Sequence, residues 1–337
     1  MLNKEEVLEM IKRNPSPNRS KEWSRIQEYG TYAGYKILLW IYQLAGVVAL
    51  RIVIYPVVAF YFLLNGNARK FSQEYLQTIH QFMGDQSPWG GTPGLWRSFQ
   101  HFMSFGQATV DKVTVWLGSY QKEDLTFFGY ETFSSLKKDG KGVLIIISHL
   151  GNVDVCRAVS AGSKGDPGST TILMHNAHAP NFQRILSEVT GTRENIEIIE
   201  VQNFTPDVAI KLQGKIEVGE TIVIAGDRTP VDSQSRYDVC SFLGKDAAFA
   251  QGPFILASLL DCPVFLLFGM KHESTYHVFF EQFSDSLKVT RKERTEHLKE
   301  NIKKYVTRLE HYACSYPLQW YNFYNYWASP EPQEEDH

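Results

Sequence analysis

The order of apolar and polar residues divides the chain into an apolar N-terminal segment and a longer region of alternating predicted strands and helices. Short apolar runs rich in β-branched and aromatic residues predict strands. These runs cover residues 142–148, 170–174, 196–201, 221–226, 263–269 and 276–283. Helical periodicity separates them, and residues 291–316 predict a long late helix. The alternation predicts an α/β fold with a mostly parallel central sheet flanked by helices.

The apolar segment, residues 32–66, comes before this region. Residues 34–50 come close to the roughly 20 apolar residues that a membrane-spanning helix needs. Pro56 would kink a helix, and the interrupting polar residues are Lys36, Gln43 and Arg51. Aromatic residues of the types enriched at bilayer interfaces favour membrane contact; they are Trp40, Tyr42, Tyr55 and Tyr61. We therefore predict a membrane-associated helical segment. A single span, a shallow hairpin and an interfacial helix all fit the pattern, and the alternative is a pair of buried core helices.

These patterns predict four parts of the chain. Residues 1–30 form a polar lead-in without the apolar core of a signal peptide, and residues 31–80 form the membrane-associated helical segment. Residues 81–327 form the α/β domain, and residues 328–337 form a disordered tail.

Composition narrows the function classes. A formal net charge of −3 gives no electrostatic argument for nucleic-acid binding, which normally needs a basic face. The four cysteines are far apart and form no Cys-x-x-Cys pair, so the sequence does not suggest a zinc ribbon or a dithiol redox site, and the spacing fits a reducing compartment. His175 and His178 have metal-like spacing, but no third ligand follows a recognisable pattern, so no metal site is predicted.

Candidate chemistry lies directly after the first predicted strand. His149 and Asp154 follow it in the stretch SHLGNVDV, and ligands of parallel sheets bind beyond the carboxyl ends of strands. If a helix opens here, Asp154 lies about one turn above His149 and can orient its ring, leaving the other nitrogen free to accept a substrate proton. The helix N-terminus would offer N–H groups to a developing oxyanion. The structural alternative is an ordinary helix start with Asn152 as its cap.

A second candidate stretch, IAGDRTPVD at residues 224–232, also ends an apolar strand. It places Asp227 and Arg228 side by side, and arginine is suited to recognising phosphate. Neighbouring strand ends would bring this pair near His149. The alternative is a surface ion pair in a loop.

Four sequence stretches of the chain, taken together and in their order, form a recognisable pattern. They are SHLGNVD, AGDRTPVD, SFLGKDAAFAQGPFILASLLDCPVFLLFG and YPLQWYNFYNYW. In these blocks the chain resembles the bacterial lysophospholipid acyltransferase superfamily, specifically its lipid A biosynthesis (lauroyl/myristoyl) acyltransferase branch. The resemblance covers residues 20–327. Many members of the branch carry glutamate where this chain has Asp154.

The resemblance implies a glycerolipid acyltransferase-like fold, with residues 81–327 as the acyltransferase catalytic domain. It implies His149 as the general base and Asp154 as its orienting partner. It also implies substrate contacts from Asp227 and Arg228, with Gly151 and Asn152 shaping the turn beside the thioester carbonyl. An N-terminal membrane anchor is a property of the family and agrees with residues 32–66.

The expected reaction moves a fatty acyl chain from an acyl thioester to a hydroxyl or amine of a glycolipid or aminolipid. The donor is acyl carrier protein or coenzyme A as co-substrate, with no cofactor and no metal. The expected location is the cytoplasmic face of a bacterial inner membrane. The alternatives are a non-catalytic lipid-binding or assembly protein on the same fold, and a thioester or lipid hydrolase using the same site.

Overall fold

The computed structural model of the protein describes residues 32–116, 124–155, 169–174, 196–200, 206–228, 236–290 and 292–327. The helices with described bounds are α1 (Tyr32–Leu64), α2 (Gly66–Met83), α3 (Leu95–Trp116), α4 (Tyr130–Lys138), α5 (Pro206–Glu217), α6 (Gly252–Leu260) and α7 (Arg294–Ser315). The strands are β1 (Leu125–Phe128), β2 (Val143–Ile147), β3 (Thr170–Met174), β4 (Ile196–Glu200), β5 (Thr221–Ala225), β6 (Tyr237–Phe242), β7 (Lys245–Ala250), β8 (Val264–His272) and β9 (Thr275–Ser284).

Seven of these strands form the central sheet, in the order β1-β9-β8-β2-β5-β3-β4. Strands β8, β2, β5, β3 and β4 run parallel to one another. Strand β9 is antiparallel to β8 and parallel to β1. The predicted α/β class, with a mostly parallel sheet flanked by helices, is confirmed.

All six predicted strands are present, within a few residues of their expected ends. The prediction missed β1 and the two-stranded hairpin of β6 and β7. Leu243 and Gly244 form the tip of that hairpin, both with positive φ. The predicted lead-in, the predicted tail and the His175–His178 pair lie outside the described residues, and the predicted domain boundaries stay predictions.

Helices cover both faces of the sheet because the central strands are apolar on both faces. On one face, Leu144 and Ile146 of β2 pack in a core cluster with residues of α2, α5, α6 and α7. On the other face, Val143 and Ile145 pack with Phe133 of α4 and Val115 of α3. Alternate residues of a single strand therefore hold two helical layers, which leaves the strand ends as the accessible part of the sheet.

Helix α1 packs against α3 along one of its faces. Leu50, Ile54 and Val58 are buried there with residues of α3. The helices approach closely at Gly106, where a Cβ would lie 2.6 Å from Cγ2 of Val58. The bend in α1 lies at Gly46, whose φ of 73° and ψ of −173° are not helical, and the helix continues through Pro56. The break in α1 is therefore at Gly46 and not at Pro56, where the sequence predicted a kink, since glycine alone adopts these angles without a Cβ clash.

The opposite face of α1 is an exposed stripe of large apolar side chains. Its members are Ile37, Trp40, Leu44, Val48, Ile52, Tyr55, Val57, Phe60, Leu63 and Leu64. Leu39–Leu64 is long and apolar enough to cross a membrane, with a mean hydropathy of 2.3 and 17% of its most apolar stretch buried in the protein. The described residues thus contain one candidate membrane segment. A pair of buried core helices is not what the structure shows, because only one face of α1 is buried.

Arg51 explains one of the polar interruptions in this segment. Its guanidinium lies 3.3 Å from the buried carboxylate of Asp111 on α3. Asp111 also contacts Lys271 Nζ and accepts a hydrogen bond of 2.8 Å from the hydroxyl of Tyr276. The charge of Arg51 therefore attaches α1 to the rest of the protein through ion pairs to the buried carboxylate of Asp111.

Candidate active site

The site forms where β2 and β5 end side by side. In the register of these parallel strands Ile147 lies opposite Ala225. His149 and Asp227 each lie two residues further along, so the sheet places them opposite each other. The backbone N–H of Gly226 donates to the carbonyl of Ile147 at 2.9 Å, which continues the pairing beyond the strands.

Asp227 holds His149 at two points. Nδ1 of His149 lies 2.8 Å from Oδ1 of Asp227, and the backbone N–H of His149 donates to Oδ2 at 2.8 Å. Because an ionised carboxylate only accepts hydrogen bonds, Nδ1 carries the proton and Nε2 keeps its lone pair. A carboxylate on one ring nitrogen and a free lone pair on the other is the arrangement of a general base.

The predicted contact between His149 and Asp154 is not formed. Asp154 Oδ2 instead lies 2.6 Å from Nζ of Lys112 on α3. The physical reason is that Leu150 and Gly151 form isolated bridges to Trp320 and Gly269, and helical structure begins only at Val153. The five-residue separation therefore does not span one helical turn, and Asp227 takes the position expected for Asp154.

Gly151 and Asn152 shape the turn that carries His149. Gly151 has a φ of 76°, and a Cβ there would lie 2.2 Å from the carbonyl oxygen of Gly269. The backbone N–H groups of Gly151 and Asn152 donate to the carbonyls of Gln319 and Gly269, at 2.8 and 2.7 Å. The buried Asn152 side chain donates to the carbonyl of Ala108 at 2.8 Å. These two N–H groups therefore already have acceptors within the protein and do not face an oxyanion.

Charge and burial set the protonation states of the pair. Burial alone would raise the pKa of Asp227, but the charge of His149, its hydrogen bonds and Arg228 outweigh burial and lower that pKa to about 2. Burial and the charge of Arg228 lower the pKa of His149, with a smaller contribution from Lys112, against the opposing effect of Asp227. The imidazole is therefore neutral at neutral pH, and 36% of its side-chain surface stays exposed for a substrate.

Arg228 lies beside this pair, as the adjacent strand ends predicted. Its Nε donates to Oδ1 of Asn322 at 3.0 Å, and its guanidinium carbon lies 5.8 Å from the ring centre of Tyr324. In the described part of the chain, no carboxylate forms an ion pair with this half-buried guanidinium.

A sequence model of the family described as bacterial lipid A biosynthesis acyltransferase matches residues 98–329, which is more than half of the chain. The chain belongs to this family. It is an acyltransferase that acts on lipid-like acceptors, with an acyl thioester as donor, and its recognition from the four sequence blocks is confirmed. A search of curated proteins returned no significant match.

Sequence reasoning missed four residues of the C-terminal block that contact the His149–Asp227 pair of this acyltransferase. Trp320 Nε1 and Asn322 Nδ2 both lie 3.4 Å from Oδ2 of Asp227, and the hydroxyl of Tyr326 donates to its backbone carbonyl at 3.0 Å. The backbone N–H of Tyr321 donates to the carbonyl of His149 at 3.1 Å. The available signal was the block YPLQWYNFYNYW, which contributes to the family resemblance but does not indicate what its side chains contact.

No group of three or more His, Cys, Asp or Glu side chains that could hold a metal ion occurs among the described residues of the acyltransferase. The expectation of a reaction without metal or cofactor stays a prediction.

A buried histidine, His101, forms a hydrogen bond with the backbone of the C-terminal block YPLQWYNFYNYW. His101 is fully buried, with Nδ1 3.0 Å from the hydroxyl of Ser72 and Nε2 2.9 Å from the carbonyl of Trp320. Because a carbonyl only accepts, Nε2 carries the proton and Nδ1 accepts from Ser72. Burial lowers the pKa of His101 from 6.5 to about 4, against the opposing effect of the Trp320 carbonyl.

The buried neutral His101 is expected to make the enzyme less stable in mild acid. Above pH 6.5 both folded and unfolded states are neutral at this residue. Between pH 6.5 and 4 only the unfolded state binds the proton, so the free energy of unfolding falls as pH falls, by up to about 3 kcal/mol. Chemical denaturation between pH 8 and about 4 measures this loss.

A His101→Gln variant should lose that part of the pH dependence, while replacement of the exposed His311 by glutamine should keep it. An unchanged slope in His101→Gln would contradict the assignment.

Proposed function

We propose that this acyltransferase moves a fatty acyl chain from acyl carrier protein to a hydroxyl or amine of a glycolipid or aminolipid. The reaction takes place at the cytoplasmic face of a bacterial inner membrane. The observation that carries the chemistry is the pair of His149 and Asp227, in which a buried carboxylate holds Nδ1 and leaves Nε2 with its lone pair.

In this mechanism Nε2 of His149 takes the proton of the acceptor hydroxyl or amine as that atom attacks the thioester carbonyl. Asp227 fixes the tautomer and stabilises the imidazolium that forms. When the tetrahedral intermediate collapses, the carbon–sulfur bond breaks and His149 returns the proton to the thiolate. Arg228 contacts a charged group of a substrate, as its fork of donors allows, since no carboxylate of the described residues forms an ion pair with it.

The membrane location rests on helix α1. A lipid acceptor cannot leave the bilayer cheaply, because each CH₂ moved into water costs about 0.8 kcal/mol. The exposed stripe of α1 gives the protein a way to bring its site to the lipid instead. The rings of Phe105 on α3 and Tyr321 lie 5.4 Å apart, and the backbone N–H of Tyr321 donates to the carbonyl of His149, so α3 contacts the C-terminal block beside the site.

A reconstituted assay tests the proposal. The full chain in bilayer discs is given acyl carrier protein or coenzyme A thioesters and bacterial lipid extract, and lipids are followed by mass spectrometry. We expect a new acylated lipid with the carrier-protein thioester. The product should be reduced by about 10²–10⁴-fold in His149→Ala. The exposed His311→Ala serves as the matched control and should retain activity.

Equal product from His149→Ala and the unmodified enzyme would end the proposed mechanism. Release of free fatty acid without an acylated lipid would support the hydrolase alternative. Faster transfer from the coenzyme A thioester would reassign the donor.

A further inference from the structure

Four alternate residues of the C-terminal block contact the adjacent residues Asp227 and Arg228. They are Trp320, Asn322, Tyr324 and Tyr326. The first and the last of them contact Asp227, and the ring of the third lies beside the guanidinium of Arg228. The second, Asn322, contacts both Asp227 and Arg228 with its side chain. Its position therefore affects how these two charged groups lie relative to each other.

A single amide group makes both of these contacts. Oδ1 of Asn322 accepts from Nε of Arg228 at 3.0 Å, and Nδ2 of Asn322 donates to Oδ2 of Asp227 at 3.4 Å. A guanidinium only donates and an ionised carboxylate only accepts, so both contacts agree on one orientation of the amide. Asn322 is 2% exposed and Asp227 is fully buried. A neutral group thus lies between a cation and an anion, away from solvent.

Without this amide, Arg228 would compete with His149 for the carboxylate of Asp227. Opposite charges on adjacent residues attract each other, and arginine commonly binds a carboxylate through two parallel hydrogen bonds. The two oxygens that such a contact uses already accept from His149, Oδ1 from Nδ1 and Oδ2 from the backbone N–H. Within the described residues Arg228 forms no ion pair with a carboxylate, and its Nε is directed at Asn322 instead.

We propose that Asn322 is a positioning residue for the catalytic pair, whose amide lies between Arg228 and Asp227 and keeps the guanidinium from displacing His149 at the carboxylate. This inference rests on the proposed function, because it gives Asn322 a role in the proposed mechanism. The amide satisfies Nε of Arg228 and leaves the full charge of Asp227 to the imidazolium that forms during acyl transfer. An aspartate in its place would repel Asp227, and an aliphatic side chain would satisfy neither partner.

The pKa of His149 reports on the position of the guanidinium. Burial and the charges of Arg228 and Lys112 lower this pKa, and Asp227 raises it. The tyrosine hydroxyls near Asp227 stay neutral at neutral pH because burial raises their pKa; they belong to Tyr305, Tyr324 and Tyr326. A guanidinium that moved from Asn322 onto Asp227 would take up part of the charge that favours the imidazolium. The pKa of His149 would then fall further.

The test replaces Asn322 by alanine in the full chain, kept in detergent. We expect the pKa of His149 to fall by about 1, because the released guanidinium moves to Asp227. We expect kcat for acyl transfer to fall by up to about 10²-fold, because the imidazole is held less well. Nuclear magnetic resonance of isotopically labelled histidine, assigned with His149→Ala, measures the pKa without turnover.

A second replacement shows whether Asn322 acts through Arg228. In an Arg228→Met background no guanidinium is present to move, so adding Asn322→Ala should leave the pKa of His149 where Arg228→Met puts it. A merely structural role of Asn322 would shift this pKa equally in both backgrounds. If thermal melting shows that Asn322→Ala does not fold, Asn322→Ser takes its place in the same comparison, since one hydroxyl is too short to hold both partners.

Two further variants complete the set. Asn322→Asp keeps an acceptor for Arg228 and adds a negative charge, so it should raise the pKa of His149, opposite to the alanine variant. Asn301→Ala is the matched control, because Asn301 is also a buried asparagine, and its Nδ2 donates to the carbonyl of His297 on the same helix at 2.7 Å. It should leave both the pKa of His149 and kcat unchanged.

An unchanged or raised pKa of His149 in Asn322→Ala would overturn the inference, as would an equal fall in the presence and absence of Arg228. These outcomes are distinguishable from failure of the proposed function. Acyl transfer by His149→Ala would refute the general base, whereas the pKa comparison needs no turnover and would still show whether Asn322 separates Arg228 from Asp227.

Discussion

Replacement of Asp227 by asparagine is expected to lower kcat for acyl transfer by about 10²–10⁴-fold, the range attributed to general base catalysis. The two carboxylate oxygens of Asp227 accept from two donors of His149, the backbone N–H and Nδ1. Asparagine has one oxygen and one NH₂ group, so one of these donors would face another donor. The imidazolium formed during the reaction would also lose its counter-charge. Steady-state kinetics with the carrier-protein thioester measures the effect.

Asp154→Asn is the informative comparison for Asp227→Asn, because the sequence predicted that Asp154 would orient His149. Its ion pair with Lys112 is partly exposed, so we expect kcat to change by less than about tenfold. Thermal melting of both variants shows whether the fold is kept. A larger loss of kcat in Asp154→Asn than in Asp227→Asn would return the orienting role to Asp154.

The position of the site could be predicted from the sequence because the end of a strand is visible in the local pattern of apolar residues. The apolar runs of β2 and β5 predicted strands, and parallel neighbours bring their carboxyl ends together. Proximity of His149 to the Asp227–Arg228 pair followed from that alone. The choice of partner for His149 did not, because it depended on where the helix after β2 begins. That start is delayed by bridges from Leu150 and Gly151 to Trp320 and Gly269, residues more than a hundred positions away.

The contacts between the C-terminal block and Asp227 could not be predicted from local sequence patterns either. Trp320, Asn322 and Tyr326 reach Asp227 only because the C-terminal block returns across the sheet. No periodicity within that block encodes its partners. Phe242 of the hairpin that the sequence missed packs against Trp320, with ring centres 5.0 Å apart. The hairpin and the block therefore stabilise each other through contacts that local sequence patterns do not reveal.

Helix α1 shows how one apolar segment serves two environments. The sequence offered a membrane segment or buried core helices, since both need apolar residues. The structure divides the residues by face: Leu50, Ile54 and Val58 pack on α3, while a stripe including Leu44, Val48 and Ile52 is exposed. Deletion of the whole segment would therefore also expose the α3 face of the core and remove Arg51 from Asp111. Substitution of the stripe alone separates membrane contact from folding.

A triple variant, Leu44→Gln, Val48→Gln and Ile52→Gln, is expected to leave the membrane while remaining folded. Each of these side chains is about two-thirds exposed, with relative exposures of 67, 66 and 65%. Burying such a side chain in an apolar phase gains about 1.5–3 kcal/mol, so losing three should reduce partitioning by about 10³-fold or more. Flotation with lipid vesicles measures partitioning, and circular dichroism with thermal melting measures the fold.

The matched control replaces apolar residues that are similarly exposed but lie on α5, after α5 and on β6: Ile210→Gln, Val218→Gln and Val239→Gln. This control loses comparable apolar surface away from α1, so it should float with vesicles like the unmodified protein. Unchanged flotation of the α1 variant would show that the stripe is not the membrane contact, and unfolding of that variant would place the stripe in the protein core. Release of the folded α1 variant, with activity lost on bilayer-embedded acceptor and kept on a short-chain soluble one, would tie the exposed face to delivery of the lipid substrate.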